Sequence, residues 1–188
     1  MSPPKNIPDF HFQIEVRNHG SVVCRPNWKL SESGSISHRI YLVRGGEATY
    51  REVGLEVTLE KDTCYVFPST KKYSISHRPE RPLSTIFYYV LLTPDFSNDL
   101  IQLPLYRSEP LRRFADFLAT LYGENNPSLV DAGSAVRQIL ALVFCEEKPR
   151  FASDERILTT ISFIRSHFNQ PLSLHTCADP RKLDHLIC

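Results

Sequence analysis

The chain has 188 residues, enough for one domain, or one domain with a piece of a second, and for a sizeable core. Hydrophobic residues make up 41%, charged residues 23% and aromatics 11%, which excludes chain-wide disorder, collagen-like repeats and a disulfide miniprotein. With 22 Lys and Arg against 21 Asp and Glu, the net charge of +1 gives no global attraction to nucleic-acid backbones or anionic membranes and leaves only a local basic face open.

Residues 1–9, with Pro3, Pro4 and Pro8, read as a flexible arm and not as a signal or transit segment, because no continuous apolar core follows them. No apolar run approaches the roughly 20 residues needed to cross a bilayer, and the longest, 86–92, has the length of a buried strand. Cys24, Cys64, Cys145, Cys177 and Cys188 are scattered without a CxxC pair and read as reduced thiols. A cytoplasmic location is expected.

From Phe10 to about Thr93 the apolar residues alternate in short runs broken by Gly, Pro, Ser and Asp. Strands are expected at 12–16, 21–24, 36–44, 47–51, 55–59, 63–67, 73–77 and 83–92. Gly45-Gly46, Val53-Gly54 and Lys61-Asp62 are expected to close three hairpins. A meander of this kind covers its edges by curling into a barrel or sandwich.

Beyond Pro94 the period becomes helical. Ser108 can cap a helix with Glu109 and Pro110 in its first turn; Leu111, Phe114, Leu118 and Leu121 make its face, and Gly123 ends it. A second helix is expected at 128–146, where Leu129, Val136, Ile139, Leu140 and Val143 form a stripe widened by Ala132, Ala135 and Phe144. That stripe is broad enough to dock on a barrel and still offer a strip to a second copy, so these residues are the candidate dimerisation surface; the alternative is that the helix at 108–122 covers the strip within one chain. A third helix is expected from Ser153 to Phe168, stopped by Asn169-Gln170-Pro171, and a fourth starts after Ser173 before Asp179-Pro180 interrupts it.

The stretch from Trp28 to Pro94 resembles the N-terminal cupin-type effector-binding domain of AraC-family transcription regulators, through "RIYLVRGGEATY", "GLEVTLEKDTCYVFPS" and the closing "FYYVLLTP". "ILTTISFIRSHFNQPLSLHTCA" is similar to the opening of that family's DNA-binding domain. The resemblance implies a mainly β fold with α, a cupin-like (double-stranded β-helix) barrel followed by C-terminal helices. It divides the chain into the arm 1–9, an effector-binding and dimerisation domain 10–149, and a linker helix with a truncated helix-turn-helix start at 150–188. In the family about 80 further residues would carry the recognition helices. This chain ends at Cys188 in "DPRKLDHLIC", which does not match that continuation, so a truncated product, a frameshifted end or a designed fragment is expected, with DNA contacted only through the missing part.

The implied function is the effector-sensing and dimerising part of a bacterial transcription regulator. The alternative is a stand-alone cupin-like small-molecule binder or enzyme. No enzyme, cofactor or metal is expected: metal-dependent cupins need a near-adjacent His pair, a carboxylate and a distant His, whereas His38 and His77 stand apart and Lys72 or Tyr73 occupies the place where many relatives carry a His. Neither a GxSxG elbow nor a Gly-rich phosphate loop is present.

Arg44 shares a strand face with His38, Ile40 and Leu42, and in the resemblance its Arg-Gly step matches the one that contacts sugar in the arabinose-responsive member. It is a candidate ligand contact for a sugar or another polar or aromatic metabolite, or else a rim arginine paired with Glu47 or Glu56. Tyr88 resembles the family's aromatic pocket floor, with core packing as the alternative. His38, Trp28 and Tyr65 complete the candidate ligand set, with a surface or hydrogen-bonded structural role as the alternative for His38 and core packing for Trp28 and Tyr65; Tyr41, Tyr50 and Tyr73 are open to the same two readings, ligand contact or core.

Overall fold

The computed structural model describes residues 13–33, 37–69, 71–93, 99–123 and 130–147. The chain divides into two compact units, Met1–Phe151 and Ala152–Cys188, and all described residues belong to the first. The helices expected beyond Ser153, and Leu129 of the dimerisation stripe, lie outside the described residues.

Nine strands precede two helices: β1 Gln13–Val23, β2 Lys29–Ser33, β3 His38–Gly45, β4 Ala48–Glu52, β5 Leu55–Leu59, β6 Thr63–Phe67, β7 Lys72–His77, β8 Ser84–Thr93, β9 Ile101–Pro104, then α1 Glu109–Gly123 and α2 Ala132–Glu146. One sheet has the order β1-β8-β3-β6-β9 and the other β2-β7-β4-β5, with all pairings antiparallel. Pairing the first strand with the eighth, the third with the sixth, the second with the seventh and the fourth with the fifth is jelly-roll topology, the cupin-like barrel. The strand β9 extends the first sheet past β6, and a 3₁₀ turn, Leu105–Arg107, leads into α1.

Two cores follow from this arrangement. Odd-numbered side chains of β3, Tyr41 and Val43, enter the barrel with Tyr50, Tyr65, Phe67, Tyr73 and Ile75. Even-numbered Ile40 and Leu42 face the other way and meet α1 and α2 through Leu111, Leu118, Val136, Ile139 and Val143. The strand β6 is buried along its whole length because both of its faces are covered.

Local expectations fail in instructive ways. The two strands expected at 12–16 and 21–24 are one, β1, whose register shifts between Val16 and Asn18 so that a bulge at Arg17 absorbs the irregularity. Gly20 continues the strand, and a Cβ there would meet the Phe87 ring at 3.3 Å. Of the three hairpins only Val53-Gly54 closes one, with Gly54 at φ 78°. Gly46 (φ 80°) and Asp62 (φ 55°) instead carry the chain from one sheet to the other, and a Cβ on Gly46 would strike the Pro82 carbonyl oxygen at 2.0 Å.

The helix α1 agrees with its expected limits. By contrast, α2 starts at Ala132, where the Asp131 carboxylate accepts from Gly133 N and Ser134 Oγ, a cap that holds its pKa below the usual carboxylate range. The proposed dimer stripe is overturned in its use: Val136, Ile139 and Val143 are 0% exposed and Leu140 2%, all spent on the intrachain core. Docking on the outer sheet and α1 consumes the broad face, leaving mainly polar residues such as Ser134, Arg137 and Gln138 outward. Cys24 and Cys64 are free and buried, their thiols pushed up to about 11 and about 12 by burial, and Cys145 is free and exposed. No helix among the described residues is long and apolar enough to cross a membrane.

Candidate functional site

Strand parity decides where the expected ligand residues go. Arg44 does share a face with His38, Ile40 and Leu42, but that face lies under the helices and not inside the barrel. Its guanidinium donates to Asp116 of α1 at 3.0 Å, so it pairs with neither Glu47 nor Glu56. Tyr88 points the same way: Tyr122 of α1 donates to its hydroxyl at 3.4 Å, His19 stacks on its ring at 6.1 Å, and His19 Nδ1 lies 2.7 Å from the Tyr122 hydroxyl. His38, 1% exposed, stands beside Val90 in the same layer. Arg44, Tyr88 and His38 therefore do not line the barrel, because inward positions on both β3 and β8 are odd-numbered.

Tyr65 and Trp28 are on the barrel side. Tyr65 accepts from Glu60 N at 2.8 Å and packs on Phe67, while Trp28 packs at the edge of the inner cluster, 5.9 Å from the His77 ring. Both structural placements serve packing, and neither joins the polar group that the barrel does contain.

That group is built by two facing rows. On the first sheet Arg39 is paired with Tyr89 on one side and Phe67 on the other; on the second, Tyr73 is flanked by Glu32 and Glu52. Arg39 reaches across, donating to the Tyr73 hydroxyl at 3.0 Å and forming an ion pair with Glu32, while its guanidinium carbon lies 4.7 Å from the centre of the Tyr89 ring. The Arg39 and Glu32 side chains are only 12% and 13% exposed. Burial opposes the arginine's charge, but Tyr73 and Glu32 more than offset it and hold its pKa above the ordinary value.

Beside it, Glu52 accepts from the Tyr50 hydroxyl at 2.5 Å and from Lys71 Nζ at 3.0 Å, and Lys71 also reaches Asp99 at 3.1 Å. Burial weighs against the Lys71 charge, yet the hydrogen bonds to Glu52 and Asp99 raise its pKa. Burial pushes the hydroxyls of Tyr41, Tyr50 and Tyr73 up, so all three are neutral donors near pH 7. Arg39 and Glu32 are largely buried, whereas Lys71, at 32%, and Asp99, at 65%, meet solvent.

Chemically the cluster offers charged and neutral hydrogen-bonding groups among aromatic faces, an arrangement suited to holding a small polar molecule. Among the described residues no three His, Cys, Asp or Glu side chains gather as metal ligands would. Sequence reading missed Arg39, Glu32 and Glu52. The available signal was parity: Arg39 is two residues from Tyr41, on whichever face Tyr41 and Val43 occupy.

No protein-family model and no curated protein matches the chain. Among solved structures it is similar to the protein YhaK from Escherichia coli, at 18% identity over 48% of this chain and 43% of that one, with a TM-score of 0.41. The chain thus spans less than half of YhaK. It is also similar to ToxT from Vibrio cholerae, at 7% identity over 94% of this chain and 73% of that one, TM-score 0.44. A ToxT structure with unsaturated fatty acid bound gives 8% identity over 88% and 67%, TM-score 0.41.

Proposed function

We propose that the chain is the effector-sensing part of an AraC-type bacterial transcription regulator, which binds a small molecule at the Arg39 end of its barrel and performs no catalysis. One observation carries the binding reading: an arginine and two glutamates, largely but not wholly buried, stand with several buried tyrosines on the inner side of the jelly roll, whereas the opposite side of the same sheet is filled mainly by aliphatic residues. Filling a barrel of this size needs no charge, and buried ion pairs are a poor source of stability. The regulator reading rests on the motif resemblance and on the jelly roll followed by helices.

In such a regulator, DNA reading belongs to helix-turn-helix units, whose opening 157–178 resembles, and the protein works in the cytoplasm. A homodimer would use a surface other than the α2 stripe. Phe117, 55% exposed and stacked 6.3 Å from Phe114 on α1, is one exposed aromatic among the described residues that could serve it.

Amide chemical shifts recorded during titration with a mixed set of small metabolites test the binding reading. Shifts concentrated on β2, β3, β7 and β8 around Arg39 are expected; shifts confined to α1 and α2, or none at all, would sink it.

A further inference from the structure

We infer that the molecule taken at the Arg39 end of the barrel is net neutral and presents an acceptor oxygen to the Nε–H of Arg39, an inference that rests on reading that end as a binding site. The first reason is charge. Arg39 is already compensated by Glu32, and Glu52 by Lys71. Asp99, the second carboxylate that Lys71 reaches, is 65% exposed and screened by solvent. An anion brought to Arg39 would share the guanidinium with Glu32 and leave one buried negative charge without a counter-charge. A cation brought to Glu32 or Glu52 would leave a positive one. Either is penalised in a site where the Arg39, Glu32 and Glu52 side chains are 12%, 13% and 10% exposed. A molecule without net charge meets no such penalty.

The second reason is the hydrogen-bond account of Arg39 itself. Tyr73 and Glu32 take its terminal NH1 donors, and Tyr89 lies over one of its faces. Its Nε is buried and has no acceptor among the described residues. A buried N–H is rarely left in that condition, because desolvation is then uncompensated. A carbonyl, amide or hydroxyl oxygen supplies the acceptor without bringing charge. Beside it, the partly exposed Tyr89 lies over the guanidinium and Phe87 adjoins Tyr89 at 5.3 Å, so the body of the ligand meets aromatic surface.

Three probes of nearly one shape separate these terms: benzamide, benzoate and benzamidine share a ring and a planar head group and are neutral, anionic and cationic at pH 7. Titrated into the full chain and followed by amide chemical shifts, benzamide should bind at least about tenfold more tightly than either ion. In Glu32→Gln, Arg39 loses its counter-charge and the order should reverse in favour of benzoate. Tighter binding of benzoate or benzamidine to the wild type overturns the inference while leaving the site standing, as does an unchanged order in a folded Glu32→Gln. If that variant does not fold, the wild-type order decides alone. Absence of shifts around Arg39 with all three probes removes the site, and the inference with it.

Discussion

The two faces of β3 meet different surroundings. On the helix side, Ile40 and Leu42 meet a layer made mainly of Leu, Ile, Val and Ala, where burial alone supplies the stabilisation. On the barrel side, Arg39, Tyr41 and Val43 meet rings and carboxylates whose satisfaction depends on particular partners. An aliphatic layer tolerates repacking, whereas a polar network is costly whenever one member is lost. The contrast separates what holds the fold from what the fold presents.

The largest effect that sharpens this comparison is expected on the helix side. Ile139→Asp places a charge where exposure is 0%, and should cost more than about 4 kcal/mol in urea denaturation. A variant that stays folded and changes only its sedimentation would instead restore α2 as an interface between copies. On the barrel side, Glu32→Leu leaves Arg39 buried without its counter-charge and should cost about 3 kcal/mol, while the double change Glu32→Leu with Arg39→Met should recover most of that loss. A double variant as unstable as the single would mean that the pair is not an isolated unit.

Between the two layers, Tyr122→Phe removes the hydroxyl that joins α1 to Tyr88 and His19, and should lower stability by about 1 kcal/mol in the same assay. The smallest effect is acid-dependent and lies on the surface of α1. Glu109 accepts from Arg112 and Arg113, which hold its carboxyl down to about 2 against an ordinary 4.5. Its contribution is complete above pH 4.5 and is lost as pH falls through about 2. Glu109→Gln should therefore flatten the acid limb of the stability profile in that window, measured by thermal melts at stepped pH, and lower the profile above it by a constant amount without changing its slope.

Much of this was readable from residue pattern. Period-two alternation locates the central strands, Gly123 ends α1, and the common face of His38, Ile40, Leu42 and Arg44 is real. Which face enters the barrel was not readable, because β3 is apolar on both sides and alternation carries no sign. Choosing the even-numbered face sent the search to Arg44 and Tyr88 in place of Arg39 and Tyr89. The strand β2 escaped because "KLSES" contains a single apolar residue, and with it went Glu32, the counter-charge that makes Arg39 intelligible. Glu52 closes β4 beside a turn, where a carboxylate reads as solvated until the register places it next to Tyr73. The strand β9 was too short, and ends in proline.

The division of labour between the two faces is tested most directly by comparing two neutralised variants for benzamide binding. Glu32→Gln with Arg39→Gln removes the barrel-side pair without leaving a buried charge; Arg44→Gln removes the helix-side arginine from its contact with Asp116. The double variant is predicted to lose the benzamide-induced rise in melting temperature and Arg44→Gln to keep it. Loss of the rise in Arg44→Gln, with retention in the double variant, would place the ligand under the helices and contradict the assignment of the barrel end.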